Sequence, residues 1–359
     1  MAYTVIDKPS DYFNTVLYTG NNTSQSITGV GFQPDWVWLK ERNGTEQHNV
    51  YDSVRGIYKR LMSDANSLEY SSDTQLTAFG SDGFSVGSSD AINDAGNTMV
   101  AWNWRAGTAF TNDASSTSIG TLDSAGSSNQ EAGFSIVSYT SNGSSNQSVA
   151  HNLGGVPEMI ISKNRDSTSA SYNYWTVYHH SLATANDKKL KLNTTDAAST
   201  TNEWGDTDPT STVYSLHTSG DGTTNHSTDK MISYCFRSIK GYSKFSSYIG
   251  NGQDTPNGVF TYLGFTPAFI LIKATDSNSW VIVDDKRPAD PNPVDSSLAA
   301  NSSDAETTGD SNTTFDFLSN GFRTNGNSGN NNSSGQEYIF MAFASSPFTT
   351  STGIPATAK

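Results

Sequence analysis

Short apolar runs bounded by clusters of Gly, Asn, Asp and Ser recur along this chain, and three of them share one frame. Trp36-Val37-Trp38-Leu39 ends in Lys40, Met159-Ile160-Ile161-Ser162 in Lys163, and Phe269-Ile270-Leu271-Ile272 in Lys273. Each follows a Gly-x-x-Pro corner: Gly31-Phe32-Gln33-Pro34, Gly154-Gly155-Val156-Pro157 and Gly264-Phe265-Thr266-Pro267. A polar turn led by Tyr precedes each corner, at Tyr18-Thr19-Gly20-Asn21, Tyr139-Thr140-Ser141-Asn142 and Tyr248-Ile249-Gly250-Asn251. Proline suits the start of a strand because it cannot donate to a sheet ladder. The copies lie about 110 to 120 residues apart, too far for a solenoid unit and close to one small domain.

The repeat extends beyond its corner. Asp52-Ser53-Val54-Arg55-Gly56 matches Asp284-Asp285-Lys286-Arg287-Pro288. Asp82-Gly83 and Asn320-Gly321 sit between aromatic residues, a strong hairpin signal. Each copy closes on an apolar strand: Met99-Val100-Ala101-Trp102, Met231-Ile232-Ser233-Tyr234, and Phe340-Met341-Ala342-Phe343. The middle copy shows no such hairpin but keeps Trp175-Thr176-Val177-Tyr178 ahead of His179-His180. Only 53–68 resembles a helix, and a short one. The pattern predicts an all-β chain of three tandem β-sandwich-like repeats with long polar loops. Its parts are an amino-terminal arm (1–11), a first repeat (12–107), a Ser/Thr-rich linker (108–130), a second repeat (131–240), a third (241–348) and a tail (349–359). Three repeats would divide the apolar residues among three small cores.

Composition supports this picture. Charged residues are 16% of the 359, and the periodic Ala, Leu, Glu and Lys of long helices are missing. The net charge of −14 excludes the clustered Lys and Arg that phosphate backbones require, so nucleic acid is not an expected partner. Cys235 is the one cysteine, which leaves no intrachain disulfide, and its apolar neighbours mark it as a core thiol. The opening residues lack the features of a signal peptide, and no run of about 18 apolar residues offers a membrane span. Synthesis in a cytoplasm without export is the expectation.

Candidate chemistry is sparse. His179 and His180 are adjacent, so on a strand they point to opposite faces and cannot readily bind one metal together. His151, His217 and His226 nearby in the chain offer the further ligands of a metal site, but surface or rim histidines are the favoured reading. Asp284-Asp285 with Asp276 has the composition of a glycosidase carboxylate pair. A structural turn or an ion pair with Arg55 or Arg287 is the favoured reading, because Asp52 stands at the matching place without a second carboxylate. Gly220-Asp221-Gly222 and Asp304-Ala305-Glu306 give a weak cation signal. No catalytic residue, metal ligand or cofactor is assigned. Most of the seven tryptophans belong in cores. Trp204, beside Asp206 and Asp208, reads as a sugar-stacking platform or an interface anchor. The β-prone arm Tyr3-Thr4-Val5-Ile6 reads as a strand that adds to a neighbour, which makes Tyr3, Val5, Ile6 and Trp204 the candidate partner-binding residues.

Taken together, Tyr12 to Asn21, Gly31 to Trp38, Tyr51 to Gly56, Ser81 to Phe84, Val100 to Trp104, Lys244 to Asn251, Gly264 to Lys273 and Phe340 to Phe348 resemble a family of virion structural proteins of marine tailed phages, including those of cyanobacteria and pelagic bacteria. The resemblance spans nearly the whole chain. It implies a non-enzymatic, tail-fibre-like or adaptor protein on the particle surface, made in the host cytoplasm. Other virion proteins, further copies of itself in a homo-oligomer such as a trimer, and host surface glycan are the implied partners. A capsid decoration protein, a carbohydrate-binding module and a polysaccharide-degrading tailspike are the alternatives. Unlike longer relatives, this chain shows no shaft or coiled coil, which favours a compact tip, an adaptor or a decoration protein.

Overall fold

The computed structural model describes residues 3–355 except 168, 219–222 and 312. The chain is all-β, with every strand pairing antiparallel. Three main sheets share one strand order. In the first, Phe13–Thr19, Thr98–Trp104, Trp36–Glu41 and Asn49–Asp52 lie side by side. The second runs Phe134–Thr140, Lys230–Phe236, Met159–Asn164, Trp175–His179. The third runs Ser243–Ile249, Glu337–Pro347, Phe265–Ala274, Trp280–Asp284. In each, the strand that follows the Pro corner pairs with the strand that closes the copy.

A smaller sheet accompanies each large one. Gln25–Thr28, Gly83–Val86 and Leu76–Gly80 form the first, Gln147–Ala150 with Val213–Leu216 the second, and Phe260–Tyr262, Gly321–Asn325 and Thr314–Leu318 the third. Both Gly hairpins lie here. An added Cβ would stand 2.0 Å from the Ile27 carbonyl oxygen at Gly83 and 2.2 Å from that of Thr261 at Gly321. Only glycine lets the neighbouring strand approach that closely.

Alternation along the strands sorts side chains onto two faces. On the outer face of the first sheet, Val37, Leu39, Tyr51 and Ala101 pack with Ile27, Leu76, Phe84 and Val86 of its small sheet. In the third, Ile270, Ile272, Val281 and Phe340 do the same with Phe315 and Phe322. The inner faces meet each other. Trp36, Trp38, Trp102 and Trp104 join Phe134, Ile161, Tyr234 and Phe236, and Phe269, Leu271, Met341 and Phe343, in one continuous core. Trp104, Phe236 and Phe343 occupy the matching position of each closing strand. Their contacts are direct, with ring centroids 5.7 Å apart for Trp104–Phe343 and 6.2 Å for Phe236–Phe343.

Several expectations change. The three small cores are not separate, because their inner faces form one shared core. The segment 108–130 is no linker: Thr108–Asn112 and Ser124–Asn129 form a hairpin that extends the second sheet beyond Phe134–Thr140. No helix forms over 53–68, where Gly56 and Tyr58 take positive φ and Lys59–Arg60 pairs with Tyr70–Ser71. No helix of the described residues is long and apolar enough to cross a membrane.

Candidate functional site

The Asp52 and Asp284 carboxylates lie where each hairpin strand ends, and both are fully buried. Arg55 Nε sits 2.5 Å from Asp52 and Arg287 Nε 2.6 Å from Asp284. A buried carboxylate requires such a partner. A second donor to the same Oδ2 of each carboxylate comes from another repeat. Tyr234 donates its phenol hydrogen to Asp52 at 2.7 Å, and Trp102 Nε1 donates to Asp284 at 2.9 Å. The matching residue of the second sheet is His179, opposite Met159 as Asp52 is opposite Trp36. His179 Nε2 donates to the Phe340 carbonyl of the third sheet at 3.2 Å. These groups therefore staple the sheets around a ring, and the carboxylates are spent on structure. Asp276 lies at the opposite end of the Phe265–Ala274 hairpin from Asp284, beside Lys273 rather than with Asp284 and Asp285.

A second ring lies further along the same strands. His48 Nε2 donates to the Ala299 carbonyl, Trp175 Nε1 to that of Met62, and Trp280 Nε1 to that of Lys191, at 3.1, 2.7 and 2.9 Å. A third joins Arg42 to Glu306 and Arg165 to Glu69, while Ala198 N donates to the Thr275 carbonyl. In all three rings the first repeat meets the third, the second the first, and the third the second.

The three lysines that end the apolar runs are fully buried. Lys40 Nζ donates to the carbonyls of Glu41 and Gly44, Lys163 to that of Asn173, and Lys273 to those of Ala274 and Asp276. Burial pulls Lys163 down to about 7 and Lys273 to about 8. Burial also pulls His179 to about 3 and His151 to about 4, so both are neutral and hold backbone groups. Among the described residues, no three His, Cys, Asp or Glu side chains come together as metal ligands would. Gly220-Asp221-Gly222 lies outside the described residues.

The partner-binding candidates divide. Trp204 is buried, its ring edge-on to Tyr178 at 5.8 Å, so it is a core residue and no sugar platform or exposed anchor. Neighbouring Glu203 is also buried and pairs with Lys189. Ile6 is buried in the shared core. Tyr3 donates to the Gly264 carbonyl at 2.9 Å and stacks edge-on to Phe348, so the arm lies on the third repeat of its own chain. Val5 alone of the four is well exposed, at 68%.

The surface also carries three matched loops. Asn21, Asn142 and Asn251 each cap their own turn, with Oδ1 accepting from the backbone N of Thr23, Ser144 and Gln253. Beneath them, buried Asn93, Asn225 and Asn332 accept from the backbone N of Asn21, Asn142 and Asn251 at 3.0, 3.1 and 3.0 Å. Tyr18, Tyr139 and Tyr248 hold the chain just before each buried asparagine by donating to the carbonyls of Ile92, Thr224 and Asn331. The sequence repeat already marked the Tyr and Asn of each loop. It gave no sign of the asparagine beneath, which lies about seventy to eighty positions away. Sequence reasoning also passed over Arg105, Phe110 and Gln130, which line clefts at the added hairpin; the aromatic Phe110 in an otherwise small, polar stretch was the available signal.

Residues 8–347 match the family model described as Domain of unknown function (DUF7483). No curated protein matches the chain.

Proposed function

The chain belongs to the DUF7483 family, and we propose that it is a structural protein on the surface of a tailed-phage particle, tail-fibre-like or adaptor in role. The three Asn-capped loops carry the reading. Each is exposed at its tip and anchored from below by a buried asparagine and a tyrosine hydroxyl. Rigid loops on a fixed scaffold suit display toward a partner. The likeness to marine phage virion proteins over the same segments supports the location. Other virion proteins and host surface glycan are the proposed partners, and a non-enzymatic role is part of the same proposal. Assembly as a trimer belongs to the same proposal, since appendages are built by symmetry.

Mass spectrometry of purified particles, with antibody labelling of intact ones, tests this. The protein should co-purify with particles and be labelled from outside. Its absence from particles when it is abundant in the lysate would overturn the reading. Light scattering of the purified full chain tests the trimer.

A further inference from the structure

The hairpin Thr108–Asn112 and Ser124–Asn129 breaks the threefold plan. The first and third sheets end at Phe13–Thr19 and Ser243–Ile249 with nothing added beyond. Two adjoining clefts open against this hairpin. One, of about 510 Å³, is lined by Tyr12, Arg105, Thr108, Asn129 and Glu131. The other, of about 270 Å³, is lined by Phe110, Asn112, Ile119 and Thr212. Gln130 and Asn152 belong to both walls, so the clefts meet there. Together they are in the size range of ligand sites.

Their chemistry differs in a useful way. The larger cleft presents a guanidinium, a carboxylate, a phenol and side-chain amides. Arg105 is exposed; its backbone N donates to the Tyr12 carbonyl at 2.9 Å, while its side chain makes no hydrogen bond or ion pair with the described residues. Glu131 accepts from Tyr12 OH at 3.1 Å, which fixes both groups in the wall. Asn152 is tied to Ser128 by a 2.9 Å bond, and Gln130 reaches Asn152 at 3.3 Å. Gly154 takes φ +74, and a Cβ there would press on the Gln130 side chain at 3.0 Å, so the glycine gives Gln130 its place. The smaller cleft is more apolar. The Phe110 ring covers Gly126, its cross-strand partner, with Cε1 2.8 Å from where a Cβ would stand.

We infer that these joined clefts bind a neutral oligosaccharide, with one sugar against Phe110 and Ile119 and the next among Arg105, Gln130, Glu131 and Asn152. A sugar ring has an apolar face for an aromatic ring and a rim of hydroxyls that both donate and accept. Amides, a carboxylate and a fork of guanidinium donors match that rim. Glu131 and the net charge of −14 disfavour an acidic sugar or a nucleic acid. The inference rests on the surface-display reading only for the source of the glycan, since binding is measured on the isolated chain.

Saturation-transfer NMR and calorimetry on the full-length protein test it, with cellobiose, maltose, lactose, mannobiose and chitobiose as neutral probes and digalacturonate as the acidic one. At least one neutral probe should saturate below about 10 mM. Arg105→Ala and Gln130→Ala should each weaken that binding about tenfold with an unchanged melting temperature. Phe260→Ala, on a distant exposed strand, should leave it unchanged. Failure of every neutral probe, preference for digalacturonate, or full binding in both variants would overturn the site. Particle mass spectrometry decides the virion reading separately, so the two can fail independently.

Discussion

Tyr234 OH donates to Asp52 Oδ2 at 2.7 Å, across 182 positions of sequence and between two repeats. Asp52 also holds Arg55 Nε and the Arg55 backbone N, so one buried carboxylate fixes a turn and a repeat interface together. Trp102 and Asp284 make the corresponding junction between the first and third repeats. The junctions explain why three copies form one body: each buried charge is satisfied partly by its own turn and partly by a neighbour.

Removing one partner at this junction should therefore weaken the whole molecule. Tyr234→Phe takes away one hydrogen bond to a charged group and should lower unfolding free energy by about 1.5 to 3 kcal/mol. Asp52→Ala removes the nearer of the two carboxylates that hold the buried Arg55, leaving Glu69 at 3.1 Å, and should lower it by about 3 to 5 kcal/mol. Urea denaturation of both variants, and of the double variant, measures the coupling. Strictly additive losses would contradict the shared junction.

Lys163 predicts an unusual pH dependence. Burial lowers its folded-state pKa to about 7, below its unfolded value. Below pH 7 both states are protonated and the full penalty of burying the charge is present. Between pH 7 and the unfolded pKa the unfolded chain holds the proton more tightly, so this lysine makes stability rise with pH. Lys163→Met should flatten that rise between pH 6 and pH 9, as followed by urea midpoints. An identical pH profile in the variant would show that the lysine stays charged in the fold.

Glu69 acts at the acid end. Burial alone would raise its pKa, but hydrogen bonds and charge from Arg165 and Arg55 win and hold it at about 2. The stabilisation is present above the unfolded carboxylate pKa and is lost as pH falls through the folded value. Glu69→Gln should lower stability at pH 7 and narrow the difference from the parent as pH falls below about 4. Thermal melts between pH 2 and pH 7 check this.

The two hairpin glycines offer a steric test. Gly83→Ala and Gly321→Ala would each push a Cβ into a backbone carbonyl oxygen of the adjoining strand. Gly335→Ala meets open space, though its φ of +79 is unfavourable for alanine. The first two should lower the melting temperature clearly more than the third, because each forces the adjoining strand away, and at Gly83 a φ of +149 adds backbone strain.

Much of this architecture was legible in the chain. Recurrent corners at Pro34, Pro157 and Pro267, apolar runs ending in lysine, and Asp-Gly or Asn-Gly turns are local signals, since proline, glycine and alternation act through a residue's own backbone. The Asp52–Arg55 and Asp284–Arg287 pairs were equally local, three positions apart. Tertiary structure alone decided the rest. Nothing nearby in sequence says that the inner faces of the three repeats share one core, that Tyr234 meets Asp52, or that Asn93 lies under Asn21. Trp204 illustrates the limit: its polar neighbours suggested exposure, but Tyr178 packs against the indole and Lys189 neutralises the buried Glu203 beside it. The hairpin over 108–129 shows the converse, because small polar residues that cannot order themselves become strands once the edge of the second sheet supplies hydrogen bonds. Alternation and turns depend on neighbours along the chain, whereas burial depends on which distant surface arrives to cover a residue, and that is fixed only when the three sheets close on each other.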